Sequence, residues 1–94
     1  MPKLRKNPLL AEQEAREAIQ KEILVNRTVR GIRQYQLADL LGVSAPTLSN
    51  LLVDVDSFRA GTIRKLVKSL GISPVSILKW LGYTEAQIRS INHE

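Results

Sequence analysis

The stretch QYQLADLLGVSAPTLSNLLV, residues 34–53, decides the fold of this 94-residue chain. It reads as two short helices joined by a tight turn at Gly42, because glycine readily takes the left-handed backbone conformation that ends a helix. Ser44 is placed to cap the second helix by accepting a hydrogen bond from one of its free N–H groups. Ala38 is the small residue that two helices need where their axes approach closely. The stretch therefore predicts a helix-turn-helix, in which two helices cross at a steep angle.

The large apolar residues of this stretch are spaced to face one another and the neighbouring helices. They are Leu37, Leu41, Leu48 and Leu51. We expect all four in the hydrophobic core, with no direct part in function.

One four-residue pattern, Leu-Gly followed by a large side chain and then Ser or Thr, occurs three times, at residues 41–44, 70–73 and 81–84. Each copy predicts the end of one helix and the capped start of the next. Together with apolar spacings of three and four residues, these turns predict an all-α fold of five helices with an extended N-terminal helix and a short C-terminal helix. The expected helices run from near residue 9 into the high twenties and over 34–41, 45–52, 60–70, 74–81 and 85–91. Thr84 and Gln87 are spaced as a capping box at the last of these helices.

The first helix carries a broad apolar face. Its members are Ala11, Ala15, Ala18, Val25 and Val29, with Ile19 and Ile23 beside them. A face this broad predicts that the helix contacts more than the core of its own domain.

The charge of the chain points to a polyanionic partner. Fourteen Lys and Arg residues against nine Asp and Glu residues give a net charge of +5 and a pI near 10.0. Acidic residues cluster early, whereas basic residues dominate between Arg27 and Lys68. The chain has no cysteine, which excludes a disulfide framework or a zinc site made of thiolates. No apolar run is long enough for a membrane span, so no membrane association is expected.

An enzyme is not expected. The single histidine, His93, stands next to the last residue, and no carboxylate pair, nucleophile with a base, or Gly-rich phosphate loop stands out. We therefore expect no catalytic residues, no metal and no cofactor.

The stretch 34–53 resembles the helix-turn-helix of the phage Cro and repressor family, also called XRE-like regulators. Arg30-Gly31-Ile32 is similar to the end of that family's first helix, and residues 63–73 are similar to its fourth helix and the turn into the fifth. The resemblance covers roughly residues 20–82. It implies a Cro-like DNA-binding domain over residues 9–82. A basic N-terminal arm (1–8) would precede it, and a C-terminal extension with a candidate role in dimerisation (83–94) would follow.

The resemblance implies double-stranded DNA as the partner, with the helix 45–52 in the major groove and the helix before it across the backbone. The implied base-reading residues are Ser44, Ala45, Pro46, Thr47, Ser49 and Asn50. Asn50 is the strongest candidate, because an amide can bond N6 and N7 of adenine together. The implied phosphate contacts are Arg33, Gln34, Arg59, Arg64 and Lys65. Lys3, Arg5 and Lys6 are candidates for an arm that follows a DNA groove; the alternative is a disordered tail that only aids solubility.

Several of these residues have a second interpretation. Ser44 is placed to cap its helix and do nothing else, and Asn50, Arg64 and Lys65 are also what an ordinary solvated helix face carries. The helix 45–52 departs from the family pattern because it holds no Arg, Lys or Gln, so DNA shape is expected to supply part of the discrimination.

The loop after this helix departs from the family pattern as well. Its Asp54 and Asp56 would repel phosphates, so either they turn away from DNA or the loop serves a partner. Phe58 is expected in the core or in an interface.

A single module reads only a few base pairs, so a homodimer on an inverted repeat is expected. The favoured dimer surface is the C-terminal set Trp80, Leu81, Tyr83, Ile88 and Ile91; the other candidate is the surplus apolar face of the first helix. Alternatively, Trp80 closes the core of its own domain. The predicted function is sequence-specific transcription regulation, repression rather than activation, in the cytoplasm of a bacterial or phage-infected cell. The alternative is an antitoxin, or an anti-repressor or adaptor, that acts mainly by binding a protein partner such as a toxin or another regulator.

Overall fold

The computed structural model describes residues 8–92, with side chains placed from residue 10 to residue 91, and this part of the chain contains helices and no strand. Its helices are α1 (Pro8–Val29), α2 (Gln34–Leu41), α3 (Ala45–Val53), α4 (Ala60–Leu70), α5 (Pro74–Trp80) and α6 (Glu85–Asn92). A short 3₁₀ turn at Val55–Ser57, which the sequence did not predict, lies between α3 and α4. The predicted all-α fold is confirmed, and every predicted helix is present with its ends within about two residues. Lys3, Arg5, Lys6 and His93 lie outside the described residues.

The core forms where α1 packs against α5, the 3₁₀ turn and α4, and where α2 packs against α3 and α4. Its most deeply buried side chains are Ile19, Ile23, Leu37, Leu41, Leu48, Val55, Leu66 and Leu70. The expected core role is thus confirmed for Leu37, Leu41 and Leu48, while Leu51 is partly buried against the same cluster. Ala38 is buried as well, as the close approach of α2 and α3 requires. Full burial of a leucine side chain contributes about 1.5–3 kcal/mol, so this small cluster supplies much of the stability of the domain.

The predicted left-handed turns are present. Gly42 has φ 72° and Gly71 has φ 65°, a region that residues with a Cβ seldom enter. After Gly42 the chain folds back onto α2, because the Val43 N–H donates to the carbonyl of Ala38 at 3.0 Å. The hydroxyl residues that follow these turns act as expected: Ser73 accepts from the Val75 N–H at 3.2 Å. The next helix begins immediately.

The last turn closes with the predicted capping box. The Thr84 N–H donates to Gln87 Oε1 at 2.9 Å, and the Gln87 N–H donates to Thr84 Oγ1 at 3.2 Å.

The helix α1 holds the ends of other helices through its polar side chains. Gln20 Nε2 donates to the carbonyls of Leu52 and Val53 at 3.0 and 3.2 Å, at the C-terminal end of α3. Asn26 Nδ2 donates to the carbonyl of Leu70, the last residue of α4, at 3.0 Å. These carbonyls have no partner within their own helix, so the amides of α1 satisfy them.

Glu22 of α1 and Arg30, which directly follows that helix, complete this arrangement. Arg30 Nε adds a second bond to the carbonyl of Leu70 at 3.2 Å. Glu22 accepts from the Ser73 N–H at 2.6 Å and from the Ser76 hydroxyl, both at the start of α5. A cation at a helix C-terminus and a carboxylate at an N-terminus both agree with the sign of the helix dipole.

The broad apolar face of α1 divides into two parts. Ile19 and Ile23 are in the core, whereas Val25 and Val29 are exposed and Ala11 and Ala18 face outward. The core therefore uses only a narrow part of the face that the spacing indicated, and the rest is accessible surface.

Candidate nucleic-acid interface

The outer face of α3 is exposed along its length. Leu48 anchors the helix by its buried side. The predicted base-reading residues all lie on the exposed side or at the cap: Ser44, Ala45, Pro46, Thr47, Ser49 and Asn50. All six residues are thus accessible to a ligand, as base contacts require.

Ser44 performs the capping role that its position suggested. Its Oγ accepts from the Thr47 N–H at 3.2 Å and donates to Thr47 Oγ1 at 2.8 Å. Its single hydroxyl proton is therefore engaged within the turn, and what it offers a ligand is an acceptor.

Gln34, the first residue of α2, reaches α3. Its Nε2 donates to Ser49 Oγ at 2.8 Å. The predicted phosphate contact is thus also a bridge between the two helices, and it leaves the proton of Ser49 available to an outside acceptor. The backbone at this end is held separately, since the Arg33 N–H donates to Gln36 Oε1 at 2.8 Å.

The predicted phosphate-binding arginines and lysine are exposed, and one of them lies at the turn before α3. Arg33 and Arg59 stand immediately before α2 and α4, and Arg64 and Lys65 lie on α4, all of them exposed. The ammonium of Lys65 lies 3.3 Å from the point that a Cβ on Gly42 would occupy. A cation of α4 therefore stands directly over the turn between α2 and α3.

Other basic residues of the central stretch have internal roles. Arg27 Nη1 donates to the carbonyl of Ile32 at 3.0 Å, and Arg30 caps α4 as described. The excess of basic residues over 27–68 therefore overstates the charge that is free to meet phosphates.

The two acidic residues after α3 face the protein. Asp54 accepts from the Ser57 hydroxyl at 2.7 Å. Asp56 accepts from Trp80 Nε1 at 2.9 Å and from Arg16 Nη1 at 3.1 Å. Of the two interpretations offered by the sequence, Asp56 follows the first, since its carboxylate is turned toward α1 and α5.

The C-terminal residues divide between core and surface. Phe58 is buried, as expected, and meets the ring of Trp80 edge-to-face at 6.1 Å. Trp80 packs against the core, as its alternative interpretation predicted, and Ile88 is also buried. Of the proposed dimer set, Leu81, Ile91 and Tyr83 remain well exposed, at 61%, 51% and 46%.

Sequence reasoning missed Tyr35. Its side chain is 59% exposed on the second residue of α2, beside Gln34. The available signal was its phase, because Tyr35 lies about 110° around α2 from the centre of the buried side formed by Leu37, Ala38 and Leu41. A phenol hydroxyl at a helix N-terminus is a suitable donor to a phosphate.

Residues 8–92 hold neither a metal-binding cluster nor a helix that could span a membrane. No group of three or more acidic or histidine residues lies close enough to hold a metal ion in this part of the chain. No helix described here combines the length and the apolar character needed to cross a membrane.

Comparison with known proteins agrees with this geometry. A family model described as helix-turn-helix matches residues 27–77, more than half of the chain. The match begins in the last turn of α1, includes all of α2, α3 and α4, and ends within α5. No curated protein and no solved structure matches the chain.

Proposed function

We propose that this chain, which belongs to the helix-turn-helix family of Cro-like, XRE-type regulators, represses transcription by binding an inverted DNA repeat as a dimer. DNA binding and transcription regulation are the general function of the family. The observation that carries the finer proposal is the outer face of α3, which is exposed, small and polar, with the ammonium of Lys65 beside its turn.

The shape of α3 suits the major groove. The groove is about 12 Å wide and an α-helix with its side chains has a diameter of about 10–12 Å. Ala45, Pro46 and Ser49 are short enough to let the backbone of α3 approach the base edges. We assign α3 to the major groove and α2, through Gln34 and its N-terminal N–H groups, to the adjacent phosphates.

Base recognition rests on few groups. Asn50 supplies the only amide on α3 and is assigned to adenine N6 and N7. Ala45 and the methyl of Thr47 suit the methyl group of thymine. Because α3 contains no charged residue, most of the affinity is assigned to phosphate contacts by Arg33, Arg59 and residues of α4, and part of the specificity to DNA shape.

Two-fold pairing supports the proposal energetically. Half-sites one DNA turn apart place two recognition helices about 34 Å from each other. Because both half-sites must match, the affinity ratio between operator and other DNA is the square of the ratio for one domain. Leu81, Tyr83 and Ile91 provide exposed apolar area for pairing near the chain end. Repression needs nothing further, since a regulator that covers a promoter excludes the polymerase by occupancy.

The test is selection of duplexes from a random library by the purified protein, with Asn50→Ala in parallel and Ser90→Ala on α6 as the matched control. We expect an enriched inverted repeat that Asn50→Ala blurs at one position of each half-site and that Ser90→Ala leaves unchanged. Enrichment of a single half-site would remove the dimer from the proposal. No enrichment at moderate salt, from protein with a helical circular dichroism spectrum, would favour the antitoxin or adaptor alternative.

A further inference from the structure

A surface groove of about 1110 Å³ runs between the first three turns of α1 and the region of α5 and α6. On the α1 side its apolar lining is made of alanines spaced at i, i+4 and i+7, which are Ala11, Ala15 and Ala18. Side chains this small let another segment approach the helix closely.

The opposite wall contains apolar side chains that are larger than alanine. It contains Val75, Trp80, Leu81 and Tyr83. Part of each surface that the sequence suggested as a candidate interface therefore forms one wall of a single groove. No residue of α2 or α3 lines it, so an occupant would not cover the candidate DNA-binding face.

The charge around this groove is opposite to that of the chain. Four carboxylate side chains line it against two cationic ones: Glu12, Glu14, Asp56 and Glu85 against Arg16 and Lys79. In a chain of net charge +5, this is a local acidic surface, and it favours a basic occupant with an apolar side chain.

Resting on the proposed DNA-bound dimer, we infer that residues 1–7 of the same chain dock in this groove when no DNA is bound, and that they leave Leu81 and Tyr83 to pairing when DNA takes the segment. The segment Met1-Pro2-Lys3-Leu4-Arg5-Lys6-Asn7 carries three bases and no acid. Leu4 supplies an apolar side chain for the alanine face, and the three bases supply the charge that the carboxylates of the rim attract.

The connection to α1 makes this docking possible in one chain. The segment joins α1 at Pro8, about one turn before Ala11, and the Asn7-Pro8 pair favours a reversal of direction. Seven extended residues reach about 23–25 Å. The alanine face from Ala11 to Ala18 is about 10.5 Å long. Docking would pair Lys3, Arg5 and Lys6 with carboxylates, so DNA would compete with the groove for the same bases.

Disulfide trapping in the full chain tests the inference, because the sequence has no native cysteine to interfere. The variant Leu4→Cys with Ala15→Cys places one thiol in the segment and one in the groove. The matched control, Leu4→Cys with Gln13→Cys, places the second thiol closer along α1 but on a face that does not line the groove. Neither Ala15→Cys nor Gln13→Cys changes the net charge of the chain.

We expect the Ala15→Cys pair to close an intramolecular disulfide at least about tenfold faster than the control pair at low salt. We expect the advantage to vanish near 1 M salt, where exposed charges interact only over about 3 Å. Equal rates for the two pairs would overturn the inference. Disulfide-linked dimers as the main product at low protein concentration would also overturn it, by showing that a second copy fills the groove.

Trp80 gives an independent readout, since it lines the groove and is the only tryptophan in the chain. Reversal of the segment charges by Lys3→Glu, Arg5→Glu and Lys6→Glu is expected to move its emission toward that of water-exposed indole, independently of protein concentration. Emission that is unchanged by the three substitutions would count against docking.

Discussion

Gln34 and Ser49, fifteen residues apart, join the two helices of the helix-turn-helix by a hydrogen bond of 2.8 Å. The bond is exposed, so it contributes little to the stability of the free protein. Its consequence is for recognition, because it fixes the rotamer of a side chain on the proposed reading face and leaves the Ser49 proton free to donate.

This relationship gives the first prediction. Gln34→Ala and Ser49→Ala should each weaken binding to the selected operator by about 0.5–1.5 kcal/mol, the net value of one hydrogen bond. The double variant should lose less than the sum, because both residues act through one contact. Fluorescence anisotropy on the three variants measures the coupling. Strict additivity would show that the two side chains contact DNA independently.

Lys65 should act on all DNA sequences alike. Its ammonium stands over the turn at Gly42, so Lys65→Ala should weaken operator and random duplex by the same factor. The slope of log affinity against log salt should become shallower by about 0.9, the value for one phosphate contact. Binding measured at several salt concentrations checks this, with Lys21→Ala on α1 as the control. A variant that loses operator preference but keeps its salt slope would place Lys65 at a base instead.

Alanine substitutions at three glycines distinguish the cost of backbone strain from the cost of a steric clash. Gly71→Ala forces a left-handed alanine and places its Cβ 2.8 Å from Arg30 Nη2, so it should lower the free energy of unfolding by more than the ~1–2 kcal/mol of the strain alone. Gly31→Ala has similar strain, at φ 68°, but meets no atom within 4 Å, and should cost only that ~1–2 kcal/mol. Gly61→Ala, inside α4 and in open space, should stabilise the protein by about 0.4–1 kcal/mol.

Thermal unfolding of the three alanine variants gives this order directly. If Gly31→Ala and Gly71→Ala unfold at the same temperature, Arg30 moves aside at no measurable cost and the steric part of the argument is wrong.

Glu22 should be important for the position of α5. Glu22→Ala removes the acceptor of the Ser73 N–H and of the Ser76 hydroxyl, both partly buried, and should destabilise the protein by about 1.5–3 kcal/mol. Glu22→Gln keeps an acceptor and should recover at least half of that loss. Urea unfolding distinguishes the two. Equal losses in both variants would indicate that the negative charge, rather than the hydrogen bonds, stabilises this helix start.

The turns were the most predictable part of the fold. Left-handed glycines and hydroxyl caps are local: Gly42, Ser44 and Thr84 act within four residues of themselves, so the sequence contains the whole cause. The same holds for Leu37 and Leu48, whose spacing within one short motif identifies them as core.

Contacts between distant residues were not predictable in the same way. The bonds from Gln20 to α3 and from Arg30 to α4 join residues 32 to 40 positions apart, and nothing in the local pattern marks these side chains. The basic residues show the limit of local patterns. Arg30 and Arg64 look alike in sequence and both are exposed, yet Arg30 donates to the last carbonyl of α4. At the candidate site, the family resemblance was enough to select the exposed residues of α3, and helical phase was enough to find Tyr35. The bridge from Gln34 to Ser49 needed the assembled helices.

The helix α3 is held from its inner side and from its two ends, by Leu48, by the Ser44 cap and by Gln20 of α1. The side chains of Ala45, Pro46, Thr47 and Asn50 therefore contribute little to holding α3 in place. Under the proposed function, replacing them changes which bases α3 recognises and leaves the position of the helix unchanged. Evolution or protein engineering can thus change the operator that this domain recognises by substituting a few exposed residues of α3, with little effect on its folding stability.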